Sequence, residues 1–399
     1  MTAGRNQTGK AEDREISLHA LTNTVRAIVP SDRDAGIYAL YAGKTLYLAD
    51  AAKVVARAIC TPRGIEDTAR GIGDGRLEGK PHEIALYFHH PYICAVERFG
   101  LNAAMVNIET GSLRELSRED YHCDVSGYSF GFVERGGKVL YICQTQWNRL
   151  DIFEAESGKN LTEREVWTRK TGTDENGRDI YESRNYLDYF HSGLHISPSG
   201  SRFISNGWVW SPFDQIRVFA AEDFFREFER GSAAADCGSG YNWDRPCAWI
   251  DDNCFVAAVD DLVKTGNMDD DEAAEYEYKS LAFFRAADAT DESAYGFRWI
   301  SPFRSCDCEV FVPDAEGEVS GRLYYDESRG YLVAITGDGA FAMTLDGKVV
   351  KKAPDVALPA TPSGGIPNGY DPHIRWSYDP KRHLFYTWQD DIGIVERAF

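Results

Sequence analysis

The sequence predicts an all-β fold, a seven-bladed β-propeller of four-stranded antiparallel blades, and three observations carry that prediction. His191 to Phe219, HSGLHISPSGSRFISNGWVWSPFDQIRVF, holds three short alternating runs around tight turns. A short apolar alternation closed by an acidic residue or a glycine recurs along the chain at intervals of one supersecondary unit. The sequence ends straight after the last such alternation, while an unused strand candidate stands near its start.

In the first of these stretches Leu194 and Ile196 alternate with His195 and lead into Ser197-Pro198-Ser199-Gly200. Proline presets one backbone angle of that turn and glycine relieves the next. Arg202-Phe203-Ile204-Ser205 gives a second strand, a tryptophan-bearing connection follows, and Gln215 to Phe219 gives a third. The pair Ser197-Pro198-Ser199-Gly200 and Ile216-Arg217-Val218-Phe219 resembles a blade of the WD-repeat and YVTN-like β-propeller superfamily, in which SPDG and IRVWD occupy those places. The WD dipeptide is absent and no GH pair stands at its usual spacing, so the resemblance is to the superfamily alone.

The third-strand pattern recurs at Thr45 to Asp50, Ala104 to Gly111, Leu150 to Glu154, Ile216 to Phe219, Leu281 to Arg285, Phe341 to Gly347 and Ile392 to Glu396. Successive centres lie roughly 46 to 66 residues apart, against the about 40 to 45 that four strands need, so some blades carry insertions. First and second strands precede the markers as Glu83 to Tyr87 with Tyr92 to Val96, Tyr128 to Val133 with Val139 to Cys143, and Leu323 to Tyr325 with Tyr331 to Ile335. Ile374 to Tyr378 with Leu384 to Trp388 and, least regular, Cys247 to Ile250 with Cys254 to Val259 complete the set. A ring must hide its sheet edges, and the strand missing after the last marker is expected from Glu15 to Leu21 or Thr24 to Val29.

Residues 1–13 read as a disordered lead-in and 14–399 as one propeller domain with insertions at about 51–79, 222–235, 260–279 and 354–369. The first insertion opens on AAKVVARAI, which reads as a helix, and turns glycine-rich. EDFFREFER, Glu222 to Arg230, reads as one or two helical turns with its phenylalanines on one side. Asp269 to Glu272 lacks the alternating ligands and central glycine of a calcium loop, and Pro354 to Gly369 is a Pro/Gly linker.

Aromatics at 13% and 36 glycines suit flat sheet faces and many turns. A formal charge of −20 with an isoelectric point near 4.9 disfavours nucleic acid and anionic lipid as partners. The N-terminal residues have no apolar core or cleavage pattern, and no window approaches the ~18 apolar residues of a membrane span. The nine cysteines are odd in number and lack framework spacing, which predicts reduced thiols and a cytoplasmic location. Cys306-Asp307-Cys308 has neither a second CxxC nor a histidine at zinc-finger spacing.

Two constellations could carry function. His82, His191 and His373 each stand the same distance before the first turn of their unit, so they could share a depth along a central channel. A ring of imidazoles there could bind a divalent transition metal, and oligogalacturonate-lyase-type propellers resemble this arrangement, although no glutamine shares the register. The alternative for each is a structural hydrogen bond at a blade junction. The second constellation is a set of rim aromatics and arginines: Trp208, Trp210, Trp243, Arg245, Arg298, Trp299, Arg304, Arg375 and Trp376. Trp, Tyr and Arg dominate interface energetics, whereas large aromatics also pack between blades. No nucleophile elbow, phosphate loop or dinucleotide fingerprint occurs, so no catalytic residue and no cofactor is assigned. The functional expectation is a cytoplasmic scaffold that holds a protein partner on its rim loops and channel mouth. Its rival is a metal-dependent lyase or hydrolase with a His-lined site.

Overall fold

The computed structural model describes residues 15–66, 68–69, 73, 75, 77–210, 213–235, 245–259, 280–286, 298–300, 321–358 and 375–399. They form a ring of seven antiparallel blades, each built from the centre outwards in chain order. Blade one is Val25–Pro30, Ile37–Ala42, Thr45–Asp50 and Val55–Cys60; blade two is Ile84–His89, Tyr92–Glu97, Asn102–Asn107 and Leu113–Ser117. Blade three has three strands among the described residues, Phe130–Arg135, Lys138–Gln146 and Arg149–Glu154. Blade four is Phe190–Ile196, Arg202–Val209, Phe213–Ala220 and Ser232–Ala235; blade five is Cys247–Trp249, Cys254–Val259, Ser280–Arg285 and Arg298–Ile300. Blade six is Arg322–Asp326, Tyr331–Thr336, Gly339–Thr344 and Val349–Ala353, and blade seven is Ser377–Asp379, Leu384–Gln389 and Gly393–Ala398. Each of the seven recurring alternations in the sequence falls on the third strand of its blade.

Every blade packs both faces against a neighbour, which explains why the central strands are apolar without alternation. Tyr92–Glu97 is buried along its whole length. Its Ile93 and Ala95 pack towards Ala39 and Tyr41 of blade one, and its Cys94 and Val96 towards Phe130 and Tyr141 of blade three. The same division recurs round the ring and ends where Leu18, Leu21, Tyr38 and Leu40 meet Tyr386 and Trp388. Ring closure is therefore continuous packing between blades seven and one. Asp390 adds to it, its carbonyl accepting from Thr22 Oγ1 and its Oδ1 from the Asn23 amide, both at 2.8 Å.

The N-terminal strand takes part in closure by a different route from the one expected. Glu15–Ser17 pairs with Val55–Arg57 as a fifth strand on blade one, not as an outer strand of blade seven. The Leu18 amide donates to Val54 O at 3.0 Å, and the turn Leu18–Leu21 that this anchors delivers two leucines to the seam.

Other boundaries shift too. AAKVVARAI is not helical: Val55–Cys60 is the fourth strand of blade one, because pairing to Leu46–Asp50 satisfies a whole ladder of backbone groups. Glu222 to Arg230 is helical, as Ala221–Glu227 and a following 3-10 turn, with Phe224 buried, but Ser232–Ala235 belongs to the blade and not to the insertion. An unforeseen two-stranded hairpin, Trp167–Thr173 with Asp179–Arg184, stands between blades three and four. Residues 1–13 and 260–279 lie outside the described residues, and of 354–369 only the start is described. There Val356 and Leu358 are buried against blades six and seven, and the Leu358 amide donates to Thr336 O at 2.8 Å.

The turns between first and second strands all lie on one face of the ring, and polar bonds tie them to one another. Arg382 reaches Ser31 O at 2.7 Å and Asp34 O at 2.6 Å; Ser199 N donates to Asp252 Oδ1 at 3.0 Å. Buried Asp326 accepts from Tyr378 Oη and pairs with His383 Nδ1, both at 2.7 Å, which joins blades six and seven. The opposite face carries the turns between second and third strands and the connections from one blade to the next.

Candidate functional site

On that opposite face, seven aromatic rings gather over blades three and four. Phe190 opens the first strand of blade four and Trp208 is its cross-strand partner, so the two rings stack in parallel with centroids 3.7 Å apart. Trp147, in the turn between the second and third strands of blade three, adds a ring 4.4 Å from Phe190. Tyr186 lies edge-on to Trp147 at 6.1 Å. Above this base His122 lies between Tyr121 at 4.4 Å and Trp210 at 5.5 Å. Tyr121 is 48% exposed and Trp210 is 58% exposed, whereas Trp208 beneath them is 3% exposed.

The base is rigid because buried polar groups hold its loops. Arg118 donates from Nε to Gly100 O at 2.8 Å and from its terminal nitrogens to Gln144 Oε1, Cys123 O and Ser126 O, each at 2.7 Å. These bonds fasten the segment that carries Tyr121 and His122 to the frame of blades two and three. His122 has φ +52°, a left-handed conformation costly for a side chain with a Cβ, and its carbonyl accepts from the Val125 and Ser126 amides at 3.2 Å. Ser126 Oγ accepts from Trp208 Nε1 at 2.8 Å, and Gly127 N donates to Ser192 Oγ at 2.7 Å. Tyr189 Oη, accepting from the Gly207 amide at 2.8 Å and donating to Ser205 O at 2.7 Å, locks the strand that ends in Trp208 and Trp210.

The residues singled out from the sequence divide sharply. Trp210 is on the exposed surface of the cluster, and Trp208 is a buried member of a strand rather than part of a connection. Arg245 is not a rim residue. It is buried and ion-paired to buried Asp214, donating from Nε to Asp214 Oδ2 at 2.6 Å and from a terminal nitrogen to Ala258 O at 2.6 Å. Arg375 is also buried, and Trp376 is half-buried against the core between blades six and seven. Trp243 and Arg304 lie outside the described residues, and Arg298 and Trp299 lie on a strand whose side chains are outside them.

The histidines do not converge among the described residues. His82 is buried with Nε2 3.8 Å from Glu97 Oε1, and Glu97 itself accepts from the Glu66, Leu101 and Asn102 amides at 2.9 to 3.1 Å. His191 is fully buried with Nδ1 2.9 Å from Ser205 Oγ. Burial first, then the nearby Arg164 and Arg217 charges, pushes its pKa down to about 3, so the ring is neutral at physiological pH. His373 is outside the described residues. No group of three or more His, Cys, Asp or Glu side chains that could hold a metal occurs among the described residues.

A cavity of about 190 Å³ opens on the other face at the same blade junction, with an apolar floor of Val133, Leu140, Ile142 and Ile152. Its rim is self-satisfied: Arg135 Nη2 donates to both Glu222 carboxylate oxygens at 2.6 and 2.7 Å, and the guanidinium lies over Phe225. The aromatic cluster, by contrast, offers uncovered rings to solvent.

Of this cluster, Trp208 and Trp210 were legible as candidates in the sequence, and Tyr121, Trp147, Tyr186 and Phe190 were not. Trp147 had a signal, since it follows a second strand as Trp210 does. Tyr121 and Tyr186 had none, because they reach the site from inter-blade connections.

No protein-family model matches the chain, and no curated protein matches it. Among solved structures, a chain of "Crystal Structure of Mitotic Checkpoint Complex" is similar over 100% of this chain and 98% of its own, with 10% identity and a TM-score of 0.51. "Structure of U3-55K" matches at 8% identity and TM-score 0.49, covering 92% of this chain and 88% of that one. "Structure of the Neurospora crassa Pan2 WD40 domain" matches at 8% identity and TM-score 0.48, covering 94% and 88%. The likeness at this identity concerns the fold alone, a β-propeller.

Proposed function

We propose that this chain is a propeller scaffold that binds a protein partner on the face bearing Tyr121, His122 and Trp210. The observation that carries the reading is that two large aromatic rings are held exposed on a base of buried, hydrogen-bonded aromatics. Rigid aromatics lose little entropy on binding and anchor protein interfaces, and contiguous exposed apolar surface marks interaction sites. The structurally similar chain from a mitotic checkpoint complex belongs to a multi-protein assembly, which supports the class of function. The charge of −20 argues against nucleic acid and anionic membranes as the partner. Buried thiols outside any disulfide at Cys60, Cys94, Cys123 and Cys143 suit the cytoplasm. The reading calls on no cofactor.

The test is affinity capture from the native source with the wild-type chain and a Tyr121→Ser/Trp210→Ser variant. The variant should keep its circular dichroism and melting temperature and lose a stoichiometric protein that the wild type retains. Equal recovery of every stoichiometric partner by both would refute the reading.

A further inference from the structure

The chemistry around the aromatic face says what kind of side chain it takes, an inference that rests on the docking reading above. Four segments build the face: 118–128, 145–149, 185–190 and 207–210. Their only arginines and lysines are Arg118 and Arg149. Arg118 is buried and spends its donors on backbone carbonyls and Gln144; Arg149 pairs with Asp151 at 2.8 Å. The same segments carry exposed carboxylates at Glu119, Asp120 and Asp188. Burial, with Asp188 and Tyr121 beside it, raises the pKa of the Tyr186 hydroxyl, so the Asp188 charge is felt within the ring cluster. The neighbouring hairpin adds no net positive charge: Arg169, Lys170 and Arg184 are paired to Glu182, Asp179 and Glu165, and Arg178 stands in its turn beside Asp174 and Glu175.

Ring faces are electron-rich and attract cations, and carboxylates at the edge of the cluster reinforce the same sign. We propose that the Tyr121–Trp210 face recognises guanidinium or ammonium side chains, so that the partner segment seated on it is a stretch of protein bearing Arg or Lys. An anionic segment would meet like charge from Asp120 and Asp188. A purely apolar one would leave those carboxylates with less solvent and no counter-charge.

Short fluorescent peptides alternating threonine with one test residue, arginine, lysine, citrulline, norleucine or glutamate, are titrated with the full chain by anisotropy. The arginine and lysine peptides should bind at least roughly fivefold tighter than citrulline, the ratio that a cation–π contact of about 1 kcal/mol supplies. Tyr121→Leu and Trp210→Leu should erase the preference, Asp188→Asn should reduce it, and added salt should weaken it. Equal binding of citrulline or norleucine, preference for glutamate, or binding of none of the peptides would overturn the proposal. A norleucine peptide that binds as well as arginine and is lost on Trp210→Leu would remove the cation specificity and leave the docking face standing. Failure of the docking face itself is read separately, as full partner recovery by the Tyr121→Ser/Trp210→Ser variant.

Discussion

Replacing Asp214 by alanine removes a buried carboxylate bonded to the buried Arg245 guanidinium, and the structure gives the size of the cost. Both side chains are essentially inaccessible, at 0% and 1% exposure, so water cannot take the place of either partner. An unpaired buried charge of this kind costs about 3–5 kcal/mol. That is a large part of a native stability that is typically about 5–15 kcal/mol. Arg245→Met should cost a similar amount by stranding the carboxylate. The double variant Asp214→Leu/Arg245→Met should recover most of the loss, because apolar replacement of a whole buried pair is often neutral or stabilising by about 1–4 kcal/mol. The remaining penalty is the donor lost to Ala258 O, about 1 kcal/mol. Urea unfolding of the full chain, followed by far-ultraviolet circular dichroism and by tryptophan fluorescence, gives the three differences when the two probes coincide. Since Asp214 lies opposite Trp208 in the strand register, the single variants should also loosen the aromatic face in proportion to unfolding. An Arg245→Met variant that loses less than about 1 kcal/mol would refute the buried-pair argument and return Arg245 to the rim.

Two further perturbations test the frame of the site. Gly207→Ala would place a Cβ 1.9 Å from Phe190 O and 2.8 Å from Tyr189 Oη, so one strand of blade four must shift. A drop in melting temperature together with loss of partner capture is expected, and a variant with wild-type melting would show that the strand is not locked there. His191 is neutral in the folded chain down to about pH 3, whereas its ordinary pKa is 6.5. Between those values the unfolded chain binds the extra proton, so the His191 contribution is complete above about pH 6.5 and is lost as pH falls, at about 1.4 kcal/mol per pH unit. Between pH 6.5 and 5 the wild type should therefore lose about 2 kcal/mol more than His191→Asn. Parallel profiles by urea titration would refute the burial argument.

Local pattern and tertiary context each account for part of what could be read in advance. Third strands were legible because most of them are buried between neighbouring blades, so their residues are short apolar runs closed by a turn residue, as at Ser280–Arg285 and Gly339–Thr344. Outer strands were not. Val55–Cys60 reads as a helix in isolation, and Ser232–Ala235 is SAAA, with little side-chain signal for any sheet. Both are strands because a neighbouring ladder offers backbone partners, a term that no local window contains. The hairpin Trp167–Thr173 with Asp179–Arg184 went unforeseen because it is almost wholly exposed and its apolar Ile180 and Tyr181 are adjacent, so no face carries the apolar alternation that marks a strand.

The division is the same for the site. Residue type placed Trp210 and Arg245 together as binding candidates, and only the assembled ring separates them. Trp210 lies at a strand end facing solvent over a stacked pair, while Arg245 points into the seam between blades four and five, where Asp214 waits. The amino-acid sequence by itself determined seven units, the order of strands within them and an acidic, aromatic-rich composition, because those depend on short-range alternation and counts. The tertiary structure alone decided which aromatics meet, since Tyr121, Trp147, Tyr186, Phe190 and Trp210 come from separate connections and strands. It also decided which charges are consumed. Burial and pairing are properties of neighbours distant in sequence, and they turn equal residues into a core ion pair in one place and an open recognition face in another.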